Sequence, residues 1–468
     1  ARRGQRVHSK GLAVKRRGMR RRMPNTEPEY GTLTKLALIS ERAQREPKCQ
    51  FTSLAHLLDA QFLEHCYYQL GRDRASGMDG VTWQEYGENL EENLQDLVAR
   101  LKAKRYKPQP ARRVYIPKDE HSKRPLGLPA LEDKIVQKGI AWILEAIYEA
   151  DFLDCSYGFR PGRNCHQAVD AVDKTIMRNP INHVIDADIK GFFDNVSHPW
   201  MLEFLQVRIV DPSFLLLVRR FLKAGYVDAG LLVTTEQGTP QGGNLSPMLS
   251  NIFLHYVLDL WFEKRIKRQA RGGCFLVRYA DDFVCMIRYQ DDARHIEQAL
   301  RERFTQFDLE LHPEKTRVIS FGRYERENAQ RQDRRAHTFD FLGFTHFCGR
   351  SRKGHFIVGR RTSRKKFRKK CKELNLWLKR IRNFMPVKQW WPILAAKLRG
   401  HYQYYGVSGN MPGLQRFHHL ALRLALKWLN RRSQCRSFNW AGFGTYLEHY
   451  PLPPPRIVHN LYTLSPVT

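Results

Sequence analysis

The stretch CFLVRYADDFVCMIR, residues 274–288, decides the fold. Its two apolar runs, Cys274–Arg278 and Phe283–Arg288, are strand-length and rich in β-formers. Between them stands Tyr279-Ala280-Asp281-Asp282, so the segment reads as a hairpin with two carboxylates at its tip. Adjacent acids at a tight turn are ordinarily just solvated. A second acidic strand upstream gives these a different meaning. The segment NHVIDADI, residues 182–189, carries Asp186 and Asp188 within an apolar run, where a carboxylate is costly to bury unless it holds a cation. Three carboxylates converging from separate strands would bind two Mg²⁺ ions, the apparatus of in-line phosphoryl transfer. Asp186 and Asp188 share a strand face. Asp188 is the better ligand, because Lys190-Gly191-Phe192-Phe193-Asp194 follows it and turns the chain toward a pocket.

The composition agrees with a polyanionic partner. The 468 residues allow two to four domains, and 79 basic against 47 acidic residues give a formal charge of +32. Nucleic acid is the first expectation and an anionic membrane the second. No apolar run reaches the roughly 18 residues needed to span a bilayer. The nine cysteines form no C-x-x-C pair, which argues against zinc ribbons and thioredoxin-type sites and for a reducing compartment. Residues 1–22 hold ten Lys or Arg and no acid, and the arm 1–30 is expected to order on a polyanion.

Periodicity predicts helices over Ser53–Leu70, Trp83–Lys104, Glu132–Tyr148, His166–Arg178, Pro247 to about Lys267, and Asp291–Phe307. A strand is expected at Arg113–Lys118 and a small strand pair around His312–Thr316. Composition shifts near residue 346. From Arg360 to Lys372 nine of thirteen residues are basic, and a helical, Trp- and Tyr-rich region follows. The expected domains are the arm, a main body over 31–345, a helical bundle over 346–440, and a short tail over 441–468.

Several elements surround the acids. Phe192 or Phe193 can pack against a sugar ring, and Phe193 would collide with a ribose 2′-OH. The loop Glu236–Pro247 packs three glycines and two prolines into twelve residues and leads into a helix, so backbone can approach a base or triphosphate there. Lys118 and Arg124 flank a basic loop suited to phosphates. Lys315 can protonate a leaving pyrophosphate. Arg364, Lys365, Arg368 and Lys369 lie along one helix face and suit a nucleic-acid backbone. Of Trp390, Trp391, Tyr402, Tyr404 and Tyr405, most are expected in the core.

In order, the chain shows Arg124–Pro129, Tyr157–Pro161, Asp188–Asp194, Gln237–Pro247, Tyr279–Asp282, His312–Lys315 and Phe341–Phe344. This series resembles the reverse transcriptases encoded by group II introns, and Leu398 through Trp428 looks like their maturase (thumb) domain. The resemblance implies an α+β right-hand polymerase: fingers, a palm with an antiparallel sheet, and a helical-bundle thumb. It implies Asp188, Asp281 and Asp282 as catalytic carboxylates, with Asp188 and Asp281 the principal ligands of two Mg²⁺ ions. Lys118 and Arg124 would contact the triphosphate, Phe193 would gate the sugar, and Gln241 would line the nucleotide site. Phe341, Leu342, Gly343 and Phe344 would form the primer grip. The segment around 53–80 would cover the template. Implied partners are a group II intron RNA, template RNA with a DNA primer or target DNA, and dNTPs, in a bacterial, nucleoid-associated setting. The missing cysteine-paired endonuclease points to the compact type. Alternatives are a relative recruited to host defence or CRISPR spacer acquisition, which flanking DNA would reveal, and a splicing-only maturase, against which the three intact acids argue.

Overall fold

The computed structural model describes residues 31–117, 123–239, 242–432 and 437–461. The arm 1–30, Lys118 and Gln241 lie outside the described residues. The chain is α+β, as expected, with helices gathered around three separate sheets.

The first sheet contains β1 (Ala111–Pro117), β2 (Lys123–Leu128), β4 (Tyr226–Asp228) and β5 (Leu231–Val233), in the order β2-β1-β4-β5. The central sheet contains β3 (His183–Asp188), β6 (Cys274–Tyr279), β7 (Asp282–Ile287) and β8 (Arg317–Ser320), ordered β6-β7-β3-β8 and antiparallel throughout. The third, β9 (Thr338–Phe341), β10 (Phe344–Arg350) and β11 (Phe356–Thr362), is an antiparallel meander.

Period-two patterning explains how the central sheet is clad on both faces. Ile185, Ala187, Phe283, Cys285 and Ile287 point into a core shared with the helices Leu131–Tyr148 and Ser246–Leu254. Val184, Val284 and Met286 point the other way, into a second core. There they meet the third sheet and the helices Cys165–Arg178, Val387–Tyr405 and Met411–Leu429. Trp390, Trp391, Tyr402 and Tyr405 are buried in this second core, which leaves them unavailable for stacking on bases.

Three expected elements differ. The helix over Ser53–Leu70 is broken, because the Asp59 side chain accepts from the Phe62 backbone N–H and starts a new helix, Ala60–Tyr68. The helix over Trp83–Lys104 divides into Trp83–Glu88 and Leu90–Lys102 at Asn89, whose backbone leaves the helical region. His312–Thr316 is a turn rather than a strand pair. The strand begins at Arg317 and completes the central sheet, while Ile189 bridges Leu311. The long helix from Ser246 runs on to Gln269, with wide π-type turns over His255–Asp259 and Phe262–Ile266. No helix among the described residues is long and apolar enough to cross a membrane.

Candidate active site

The acidic hairpin is formed by β6 and β7, which pair from Cys274↔Ile287 to Tyr279↔Asp282. Only Ala280 and Asp281 make the turn, and Ala280 sits at φ +55°, a left-handed conformation that strains a residue bearing a Cβ. On the other side of β7, Asp188 stands directly opposite Asp282 and Asp186 opposite Val284. Cross-strand partners project from one face, so Asp186, Asp188 and Asp282 lie together there, with Asp281 at the adjoining tip.

This crowding shows in the acidities. Burial, reinforced by Asp186, Asp281 and Asp188, pushes the Asp282 carboxyl up to about 7, against the pull of the Leu342 backbone N–H. Burial also raises Asp281; Asp188 adds to this, whereas Arg124 and Arg278 pull it down. Burial, together with Asp340 and Asp188, lifts Asp186 to about 6, opposed by Arg317. Lys315 Nζ donates to Asp188 Oδ2 at 2.7 Å. The donor set is carboxylate oxygen alone, the chemistry of Mg²⁺, and its mutual repulsion is what a divalent cation would relieve. Among the described residues no three His, Cys, Asp or Glu side chains are gathered into a ready-made cation cage.

The turn is secured from beneath by a network invisible in the local sequence. Arg278 is fully buried. It forks onto Asp259, with Nε to Oδ1 at 2.8 Å and Nη2 to Oδ2 at 2.5 Å. Its Nη1 donates to the Ala280 carbonyl and to Asn251 Oδ1, both at 3.0 Å, and its Nη2 to Ser156 Oγ at 2.8 Å. Asn251 in turn donates to the Gly158 carbonyl at 2.7 Å. A Cβ at Gly158 would lie 2.4 Å from the Ala280 nitrogen, so the Tyr157–Pro161 block supports the turn by close backbone approach. Asp259 reaches Arg278 from a wide turn of its helix. The available signal was an arginine inside an apolar strand, which calls for a buried acid somewhere else in the chain.

Other elements meet the acids at their rim. Arg124 is on the exposed edge strand β2 and is electrostatically coupled to Asp281. Phe193, half-buried, lines a 240 Å³ cavity with Arg113, Tyr226 and Gly238, whereas Phe192 is core. The Gly-rich loop is tied here: the Thr239 N–H donates to the Phe193 carbonyl at 2.7 Å, and Gly238 takes φ +87°. Phe341 and Phe344 are buried, and Leu342-Gly343 is the two-residue turn between β9 and β10, both residues at positive φ. The Leu342 carbonyl accepts from the Tyr404 hydroxyl at 2.9 Å.

Asp282, Leu342 and Gly343 line a 760 Å³ cleft together with Lys366, Lys369, Lys370 and Lys397. Of the basic residues expected to bind RNA, Arg364, Lys365, Arg368 and Lys369 are all exposed on the helix Arg364–Ile381, and only Lys369 lines this cleft. Lys366, Lys370 and Lys397 were missed; helical spacing from Lys369 picks out Lys366.

Residues 116–346 match the family model for reverse transcriptase (RNA-dependent DNA polymerase). The chain is 38% identical over 237 residues to the group II intron-encoded protein LtrA of Lactococcus lactis subsp. cremoris, covering 49% of this chain and 39% of that one. It is 37% identical over 240 residues to protein YkfC of Escherichia coli K12, covering 45% and 63%. A 97-residue stretch is 32% identical to nuclear intron maturase 1, mitochondrial, of Arabidopsis thaliana, covering 20% and 13%. The matches thus span less than two thirds of each of these curated relatives. Acids paired across a central antiparallel sheet, with a basic cleft before them, are what this likeness leads one to look for, and residues 116–346 form a reverse transcriptase domain of the right-hand polymerase fold, similar to that of group II intron-encoded proteins.

Proposed function

We propose that the chain is an RNA-directed DNA polymerase that also binds a group II intron RNA, assists its splicing and copies it into DNA for retrohoming. The observation that carries the polymerase reading is the register of β3 on β7, which sets Asp188 beside Asp282 at the edge of a lysine-walled cleft. Asp188, Asp281 and Asp282 would hold two Mg²⁺ ions. Bound there, the ions would polarise the α-phosphate and lower the pKa of the attacking hydroxyl.

The chain's own residues would do the remaining work. Arg124, with Lys118 beyond the described strand, would hold the triphosphate. Phe193 would exclude a 2′-OH, and Gln241 would face the base. Leu342 and Gly343 would position the primer terminus through backbone groups, with Phe341 and Phe344 as their buried anchors. Lys366 and Lys369 would neutralise primer phosphates along the cleft. Lys315, now on Asp188, would be freed when cations arrive and could then donate its proton to pyrophosphate. Fingers and palm would occupy 31–345, the thumb 346–440, and the remaining segment 441–468 would at most touch DNA. A bacterial cytoplasmic, nucleoid-associated site of action fits these partners.

The test is Asp281→Ala assayed by extension of oligo(dT) on poly(rA). Extension should fall by about three orders of magnitude or more, while intron RNA is still bound. Extension retained near the parent rate would remove the mechanism.

A further inference from the structure

The central and third sheets both lead away from the carboxylates. β3 ends at Asp188 on the acidic side, and its other end, His183, pairs with Ser320 of β8. β10, seven residues long, starts beside the Leu342-Gly343 turn and ends at Arg350. The helix Cys165–Arg178 begins where His166 bonds the Tyr404 carbonyl and closes near Met177. At about 3.3 Å per strand residue, β10 carries Arg350 about 20 Å from the Leu342-Gly343 turn. The end of that helix, the end of β10 and the segments that follow β8 and β10 line a 430 Å³ cavity, separate from the polymerase cleft.

The lining of this cavity is unlike a solvated surface. Arg323 and Arg326 come from the segment after β8, Arg350 from the end of β10, and His355 from the β10–β11 connection. Glu327 is the lone carboxylate in the lining, and Arg350 holds it at 3.1 Å. Arg323 and Arg326 enter no ion pair among the described residues. Met177 and the half-buried ring of Phe356 supply an apolar side. Arg352 and Lys353, both exposed, extend the positive charge along the connecting turn.

We propose that this cavity is a second RNA site, which takes one nucleotide of a single strand. Arg323 and Arg326 bind its phosphate, Phe356 stacks its base, and Glu327 accepts from the ribose 2′-OH. The concavity favours a splayed nucleotide over a duplex groove, and a carboxylate among guanidiniums serves a hydroxyl rather than a phosphate. The choice of ligand rests on the reading of the chain as an RNA-binding polymerase. Binding at the site is measured without dNTP or divalent ion, so its failure is separate from failure of that reading.

The experiment uses the full chain with its cleft filled by a short primer–template duplex. Binding of a labelled, unstructured oligoribonucleotide is then measured against salt for the parent and for Arg323→Gln/Arg326→Gln. Affinity should fall at least about tenfold, and the log–log salt slope should shrink by about 0.7, the share of one single-strand phosphate. Extension on saturating poly(rA)/oligo(dT) should not change, which also shows that the variant folds. Unchanged affinity and slope would overturn the proposal, as would extension falling in step. An equal loss with the matching oligodeoxyribonucleotide would overturn the assignment to RNA. Should the variant not fold, 4-thiouridine RNA crosslinked to the parent protein decides: adducts are expected within 323–327 or 350–356, and adducts only elsewhere refute the site.

Discussion

Among the described residues two arginines have no solvent exposure, Arg278 and Arg360, and each is paired with an aspartate on a helix. Arg278 forks onto Asp259 and spends its remaining donors on the Ala280 carbonyl, Asn251 and Ser156. Arg360, on β11, meets Asp173 at 2.9 Å and the Ser408 carbonyl at 3.5 Å. The first pair closes around a strained turn that bears carboxylates. The second joins a helix beside the central sheet to the third sheet and the thumb segment. Both bear the desolvation cost of a buried charge, which such a pair only partly recovers. The contrast is in what each holds: one fixes the direction of the acidic turn, the other the seating of large pieces on each other.

The largest effect is therefore expected at Arg278. Asp259→Asn leaves a buried guanidinium uncompensated and should cost about 3–5 kcal/mol of stability. Arg278→Lys keeps a charge but loses the planar fork that reaches Ala280. Misplacing a reacting group by about 1 Å costs roughly a hundredfold in rate. So kcat per folded molecule should drop on that scale for Arg278→Lys, with nucleotide KM little changed and more Mg²⁺ needed for half-maximal rate. Single-turnover extension across a magnesium series measures this. An unaltered kcat would reduce Arg278 to a purely structural role and erase the contrast.

The same contrast explains how far the sequence alone can be read. The acidic hairpin, the acidic strand and their family likeness were legible because the spacing is local and each residue type is chemically specific. The period of a strand put Asp186 and Asp188 on one face, but the register that sets Asp188 opposite Asp282 joins strands far apart in sequence and was not legible there. The Arg278–Asp259 bond joins residues 19 apart on different elements, and no local pattern announces it. Asp59 broke an expected helix because a side-chain cap outcompeted an apolar stripe that continued through it. Trp390, Trp391, Tyr402 and Tyr405 are core, as most of that aromatic group was expected to be. The cleft lysines Lys366 and Lys397 come from two thumb helices whose relative placement no spacing within either helix encodes.

Breaking the second pair sharpens the comparison. Asp173→Asn should also destabilise by about 3–5 kcal/mol, since it strands Arg360 in the same way. Well below the melting temperature, however, kcat per folded molecule should match the parent, because neither partner touches the turn. Thermal melts paired with extension at low temperature separate the two quantities. A kcat loss as large as that at Arg278 would mean that the seam between the sheets, and not the local fork, sets the geometry of the acids.

The smallest expected effect lies in the same seam. His346 is fully buried, stacks on Phe339 at 4.7 Å between ring centres, and leaves both ring nitrogens without a hydrogen bond among the described residues. Burial, aided by Arg360, lowers its pKa to about 3. The sign follows from linkage. The folded state keeps the ring neutral, while the unfolded chain takes up a proton below about 6.5. Stability from this residue is therefore whole above that value and drains away as pH falls toward 3, with about 2 kcal/mol lost at pH 5. His346→Phe removes the titrating group and keeps a ring over Phe339. The variant should match or exceed the parent at pH 7 and lose several degrees less in melting temperature between pH 7 and pH 5. The two curves running parallel would mean that the ring is already protonated in the fold. Arg360 would then face a second cation, and the seam would be the more strained of the two buried sites rather than the plainer one.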